Sequence, residues 1–340
     1  MVYIGTAEAS PNMPFVKYWG KRNEALILPM NSNISATFDS SLATRTTVFF
    51  SESLKADELW INGKQFPPES LDKAIPQLNI IRELAGIQMF AKIYSISKVP
   101  VAAGLSSSSA GLCALALASA SALGLKLPAE ELSIICRRGS GSSCRSIYGG
   151  FVEWVRGDKT DGSDSYGVQI ADDKHWPELR MLAVSIEETE KKVKSRAGMK
   201  QTVLTSTLYQ KRLQDIGNTL DSVRNAIRNK NFQSLAELTM KESNNMHAVC
   251  MDTWPPILYL NDNSRTVIQS IHDFNEGGLR AAYTFDAGPN PYIITEEKNL
   301  KSVLELLKKM SFIKHIFISK IGGNPRVLEE HLLNEKGKPV

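Results

Sequence analysis

Four serines in succession, in "VPVAAGLSSSSAG" at 99–111, stand directly before the apolar run "LCALALASASALGL". Serine competes with the helical backbone for hydrogen bonds and favours helix starts, but one N-cap needs only one serine. A loop of small residues opening a helix aims several backbone N–H groups at one point, where the helix dipole adds positive potential. That is an anion site, most often for phosphate, and serine hydroxyls can join a Mg²⁺–phosphate assembly there. Residues 104–111 therefore read as a phosphate cradle; no GK[ST] follows, so it is not a Walker A loop. The competing explanation is a small-residue helix start packed hard against a neighbour. Three other stretches gather Lys, Arg, Ser, Gly or Asp beside a strand or turn: "FVKYWGKRNEALILPMNSNIS", "RRGSGSSCRSIYGGFVEW" and "YTFDAGPN". A guanidinium such as that of Arg145 suits a planar carboxylate, whereas lysine offers phosphate a point charge. Asp286, two residues before Gly288 in "FDAGPN", fits a plain Asp turn before a glycine as well as an acid–base role.

The elements that must position these residues alternate irregularly. "TRTTVFFS" and "ELWINGKQ" read as strands, the second entering a tight turn, and "SLDKAIPQLNIIRELAG" has helical spacing up to a glycine stop. Residues 107–124 and "PAEELSIICRRGSG" are expected to be helices, and "YGGFVEWV" and "LRMLAVSI" strands. A long helical stretch spans "KQTVLTSTLYQ" to "NNMHAVCM", followed by a helix at 263–275, strands "LRAAYTFDAG" and "PYIITEE", helix "NLKSVLELLKKM" and strand "IKHIFISKIG". Strands and helices without regular βαβ alternation predict an α+β fold. At 340 residues the chain is expected to form two domains, divided at 185/186. The net charge of +4 argues against nucleic acid and mildly favours a small anionic substrate. Cys113, Cys136, Cys144 and Cys250 form no CxxC pair, so reduced thiols and a cytoplasmic location are expected rather than zinc or disulfides. The longest apolar run, 111–127, is too short and too rich in Ala and Ser to span a membrane. His247 has no metal partner spaced around it and is expected to be structural.

With these motifs in place, and with "HAVCMDTWPPILYLNDNSR" in the second half, the chain resembles, nearly end to end, the mevalonate diphosphate decarboxylases of the GHMP kinase family. The resemblance implies a two-lobed α+β GHMP kinase fold with the active site between the lobes, 1–185 carrying ATP and 186–340 forming the second lobe. It implies ATP with Mg²⁺ as cofactors, mevalonate 5-diphosphate as substrate, and isopentenyl diphosphate, CO₂, ADP and phosphate as products. A homodimer follows from the same family.

The resemblance also assigns residues. Asp286 matches the catalytic aspartate facing the 3-hydroxyl, and Arg145 the arginine facing the substrate carboxylate. Asn12 matches a contact on the carboxylate side of the substrate, and Ser140 and Ser142 match substrate-contacting serines. Tyr18 and Lys21 match the grip on the diphosphate, Ser195 and Met199 a segment beside it, and Lys17 lies toward the ATP phosphates. The family's nucleotide loop falls on Gly104, Ser106, Ser107 and Ser108, with Ser108 nearest the metal. Its serine pair is Ser107 and Ser108, while Ser106 and Ser109 replace alanines. Lys73 stands where the family has an arginine, keeping the charge but losing the bidentate fork. That substitution leaves a mevalonate 5-phosphate decarboxylase, or an enzyme that stops after phosphorylation, as the alternative. A ligand sensor without catalysis is disfavoured because Asp286, Arg145 and the serine loop are all intact.

Overall fold

The computed structural model describes residues 1–98, 107–188 and 192–340, leaving Gly104 and Ser106 outside the described residues. The first sheet carries six strands. In chain order they are β1 (Val2–Ala9), β6 (Thr44–Ser51), β7 (Glu58–Ile61), β8 (Lys64–Phe66), β9 (Phe90–Ser97) and β16 (Arg326–Leu328), ordered β16-β1-β6-β9-β7-β8 across the sheet. All of its pairings are antiparallel except β7 with β9. Helix α1 (Ile75–Ala85), α2 (Ser107–Ala122) and α3 (Ala129–Gly139) belong to this half. The Ala- and Ser-rich composition of α2 has a steric cause. A Cβ at Gly5 of β1 would lie 2.4 Å from the Ala118 carbonyl oxygen, so the helix backbone rests directly on the strand. The strand "TRTTVFFS" is buried on both faces, with Phe50 and Val48 against α2 and Phe49 against Leu333 of the C-terminal tail.

A second, antiparallel sheet runs β11-β10-β5-β2, from β2 (Asn12–Val16), β5 (Asn33–Thr37), β10 (Phe151–Trp154) and β11 (Gly167–Ala171). The third runs β13-β14-β12-β15, from β12 (Leu179–Ser185), β13 (Ala281–Phe285), β14 (Pro291–Glu296) and β15 (His315–Ser319). β3 (Lys21–Asn23) and β4 (Leu28–Pro29) form a short ribbon. The long helical stretch resolves into α4 (Ser195–Thr205), α5 (Leu208–Arg228) and α6 (Phe232–Asp252). Asp252 accepts from the Leu208 N–H and the Ser206 hydroxyl, fixing the start of α5, and Asn231 caps α6 through the Ser234 N–H. Helices α7 (Asp262–Phe274) and α8 (Glu297–Lys308) complete the chain. Mixed, mainly antiparallel sheets with helices packed against them make the fold α+β, as the irregular alternation predicts.

The expected division at 185/186 falls at the last residue of β12, whose sheet partners β14 and β15 lie beyond it. Near the other end of the chain, β16 crosses back to pair with β1. The largest apolar cluster joins Met13, Phe15, Ile34 and Phe151 to Met181, Leu182, Tyr283 and Ile293, so one core supports both halves. All four cysteines are buried and free. Among the described residues no helix is long and apolar enough to cross a membrane.

Candidate active site

Strand ends from the second and third sheets converge on one place. Lys17 follows β2 and Asp286 follows β13, and the Lys17 Nζ lies 2.8 Å from Asp286 Oδ1. The lysine is essentially buried, at 1 % side-chain exposure, whereas the carboxylate keeps 31 %, so this ion pair opens to solvent only through the acid. Burial lowers the Lys17 pKa below its ordinary value, and Arg145 adds to that, while Asp286 and Glu242 oppose it. The sequence places Lys17 toward the nucleotide phosphates; in the structure its ammonium is engaged by Asp286.

Arg145 closes a tight turn at Gly141–Arg145 and is fully buried. Its Nε donates to Asn12 Oδ1 at 3.1 Å and to Ser35 Oγ at 2.8 Å, its Nη2 to Asn12 Oδ1 at 2.8 Å, and its Nη1 to Asn33 Oδ1. These partners are neutral. The alternation in "NISA" sends Asn33 and Ser35 to one face of β5 while Ile34 and Ala36 enter the core. Neutral acceptors fix the plane of the guanidinium without cancelling its charge, which leaves the charge available to an incoming carboxylate. Asn12 is held in turn: its Nδ2 donates to the Ser142 carbonyl at 3.1 Å and to Ser146 Oγ at 2.8 Å. Burial lowers the pKa of Arg145, with Cys144 and Asp286 acting in the opposite direction.

The turn that carries Arg145 also brings in the expected serines. Ser140 Oγ and Ser142 Oγ lie 3.4 Å apart. A Cβ at Gly141 would come within 2.7 Å of both Tyr18 and Trp154, so this glycine serves close approach rather than flexibility. Tyr18 packs on Trp154 with ring centroids 4.7 Å apart, and its buried hydroxyl has no hydrogen-bond partner. Burial, with Glu24 next, raises the Tyr18 pKa, which keeps the phenol a proton donor. Lys21 is buried and paired with Glu24.

Lys73 ends the turn at Pro68–Lys73. Burial lowers its pKa, and the neighbouring charges of Arg196 and Lys194 lower it further against Asp72. Arg196, which sequence reasoning passed over, sits in the first turn of α4 beside Ser195. It donates to the Gly139 carbonyl at 2.8 Å and lies 3.5 Å from Asp72. The only signal for it was its place inside "KSRAGM". Met199, expected beside the substrate, packs at 5 % exposure with Trp19, Tyr209 and Met246. The two residues that cradle Arg145 from β5, Asn33 and Ser35, were also missed; the polar–apolar alternation of "NSNISA" was the signal available.

The nucleotide loop is described only from the start of α2. Ser107 opens that helix, Ser108 is exposed, and Ser109 is fully buried. The first turn of α2 holds no acidic residue, which leaves the dipole's positive end uncompensated and fits a phosphate group. Among the described residues no cluster of three His, Cys, Asp or Glu side chains could hold a metal ion.

A buried arginine and lysine cluster with one acid, in a mixed α+β fold whose helix α2 opens on small residues, defines an enzyme that handles a multiply anionic small molecule. The relatives narrow this. Residues 9–167 match the diphosphomevalonate decarboxylase-like N-terminal domain, and 181–333 the mevalonate 5-diphosphate decarboxylase C-terminal domain. The diphosphomevalonate decarboxylase of Candida albicans is 44 % identical, covering 91 % of this chain and 88 % of that relative. The crystal structure of mevalonate diphosphate decarboxylase from Staphylococcus aureus superposes with a TM-score of 0.91 at 38 % identity, covering 97 % and 99 % of the two chains. A structure described as MDDEF in complex with MVAPP, AMPPCP and magnesium gives 0.90 at 37 % identity, covering 97 % of this chain and 100 % of that one. The chain belongs to the diphosphomevalonate decarboxylase family.

Proposed function

We propose that Asp286, with Lys17, serves the first half of this family's reaction and Arg145 the second. The activity is the ATP-dependent decarboxylation of mevalonate 5-diphosphate to isopentenyl diphosphate, with ADP, phosphate and CO₂ released. The observation that carries the division of roles is the contrast between a half-open carboxylate on a buried lysine and a closed guanidinium on neutral partners. ATP with Mg²⁺ supplies the phosphoryl group that makes the 3-oxygen a leaving group. Asp286 accepts the hydrogen bond of the 3-hydroxyl, aligns it and takes its proton as the oxygen attacks. Lys17 holds Asp286 in place and keeps positive charge beside the developing phosphate ester. Arg145 and Asn12 orient the substrate carboxylate. When the C–C bond to that carboxyl breaks, its electron pair forms the new double bond as the C3–O bond to phosphate breaks. Arg145 must therefore orient the carboxylate without holding its charge too firmly.

Tyr18, Lys21, Lys73 and Ser195 are assigned to the substrate around the diphosphate, with Arg196 added to them, and Ser140 and Ser142 are assigned as substrate contacts. The unpartnered Tyr18 hydroxyl and the crowded cations at Lys73 support that placement. Gly104, Ser106, Ser107 and Ser108 would cradle the nucleotide phosphates, with Ser108 nearest Mg²⁺. The lobes 1–185 and 186–340 flank the cleft, with β12 and β16 exchanged between their sheets. A cytoplasmic homodimer is part of the same reading. The test is rapid quench with γ-labelled ATP on Asp286→Asn and Arg145→Gln. Asp286→Asn should lose roughly a thousandfold in turnover and never form the 3-phosphorylated substrate, since the contact matters mainly in the transition state. Arg145→Gln should form it and release it. Accumulation of that species in Asp286→Asn would overturn the assignment.

A further inference from the structure

Both residues of the Lys17–Asp286 pair sit just past the end of a strand, where ladder hydrogen bonds run out. What holds their main chain is therefore a separate question from what their side chains do. One helix answers it for both.

Phe285, the residue before Asp286, is the last residue of β13, the edge strand of its sheet. Its N–H turns to α6. The Phe285 N–H donates to Ser243 Oγ at 2.9 Å. Ser243 and His247 are four residues apart and so share a face of α6. The imidazole is fixed edge-on between two rings, 6.3 Å from Tyr259 and 6.2 Å from Phe285 by centroid.

The neighbouring residue on α6 does the same for Lys17. Glu242 Oε1 accepts from the Lys17 N–H at 2.9 Å. The Lys17 carbonyl accepts from Asn31 Nδ2 at 3.1 Å and from Arg212 Nη2 at 3.3 Å. Arg212 and Glu242 are themselves a buried ion pair, at 1 % and 4 % exposure. A fully buried pair is weak evidence for stability, because desolvation offsets most of its attraction. Its geometry here is better accounted for by what it grips.

We propose that Glu242 and Ser243 of α6 are positioning residues for the reaction, setting the separation of Lys17 and Asp286 through the main-chain N–H groups of residues 17 and 285. The inference rests on the assignment of Asp286 to phosphoryl transfer. It makes a demand that packing alone does not make: the side chain at 243 must offer the Phe285 N–H an acceptor. Threonine keeps the hydroxyl, whereas alanine removes it.

The test is steady-state kinetics with ATP and mevalonate 5-diphosphate on Ser243→Ala and Ser243→Thr, with thermal melts of each. Ser243→Ala should lower kcat by ~10–100-fold with KM for both substrates within about threefold, since ångström-scale misplacement costs up to ~10²-fold in rate. Ser243→Thr, which keeps the hydroxyl, should recover most of the loss. Unchanged kcat in a folded Ser243→Ala, or alanine and threonine behaving alike, overturns the inference. Asp286→Asn run alongside separates the two claims. Full turnover in Asp286→Asn refutes the catalytic assignment, whereas an inactive Asp286→Asn beside a Ser243→Ala with unchanged kcat refutes only the positioning role.

Discussion

Asn33→Asp tests whether the unneutralised charge of Arg145 is what receives the substrate carboxylate. Asn33 is fully buried, its Oδ1 accepts from Arg145 Nη1, and its Nδ2 makes one long contact, 3.5 Å to the Asn31 carbonyl. Aspartate there keeps the shape and the acceptor, gives up only that weak bond, and places a carboxylate on the guanidinium. A substrate carboxylate drawn to the same guanidinium would then face a like charge across it. At about 7 Å and an effective dielectric constant of about 20, the repulsion is roughly 2 kcal/mol. At ~1.4 kcal/mol per decade this raises KM for mevalonate 5-diphosphate ~30–60-fold. KM for ATP should move far less, because the perturbation acts on the carboxylate end. Asn33→Ala, which removes the acceptor and adds no charge, should cost a smaller factor in KM. The assay is initial rate against each substrate with the other saturating, with a thermal melt to confirm folding. A folded Asn33→Asp with wild-type KM for mevalonate 5-diphosphate would show that the substrate carboxylate does not bind Arg145.

At Lys73, burial and the nearby Arg196 and Lys194 depress the pKa, so its ammonium is lost at lower pH than that of an ordinary lysine. KM for mevalonate 5-diphosphate should rise on the alkaline side. Lys73→Arg, which stays charged and offers a fork, should remove that limb and tighten binding by about 1 kcal/mol, whereas Lys73→Ala should raise KM more than it lowers kcat. Unchanged KM in Lys73→Ala would remove Lys73 from the diphosphate site. Ser108→Ala should raise KM for ATP–Mg²⁺ sharply, whereas Ser109→Ala, at a fully buried position, should leave it unchanged; equal losses would refute the distinction. His247 is held neutral by burial, its pKa lowered from 6.5 to about 4. The folded ring resists its proton, so this contribution is full above pH 6.5 and is lost as the pH falls through 4, in total about 3 kcal/mol. Unfolding free energy measured from pH 7 to 4 should fall less in His247→Asn than in the parent chain, and identical slopes would count against the buried neutral ring.

Much of the molecule was written locally. The β-branching of "TRTTVFFS", the glycine stop at Gly86 and the small-residue run from 107 put a strand, a helix end and a helix where they are found, because propensity and stop signals act within a short stretch of chain. The long motifs around Lys17, Arg145 and Asp286 likewise identified the family and its chemistry, since residue type and spacing along the chain carry that information. Tertiary structure decided how those residues meet. Lys17 and Asp286 are 269 positions apart, and their 2.8 Å contact exists only because β2 and β13 end side by side. Arg145 takes its partners from β2 and β5, more than a hundred residues away. Met199 became core because α4 turns it toward Trp19 and Tyr209. The grip of α6 on residues 17 and 285 leaves no trace in the sequence around either, because hydrogen bonds to a main chain place no demand on the side chain they hold.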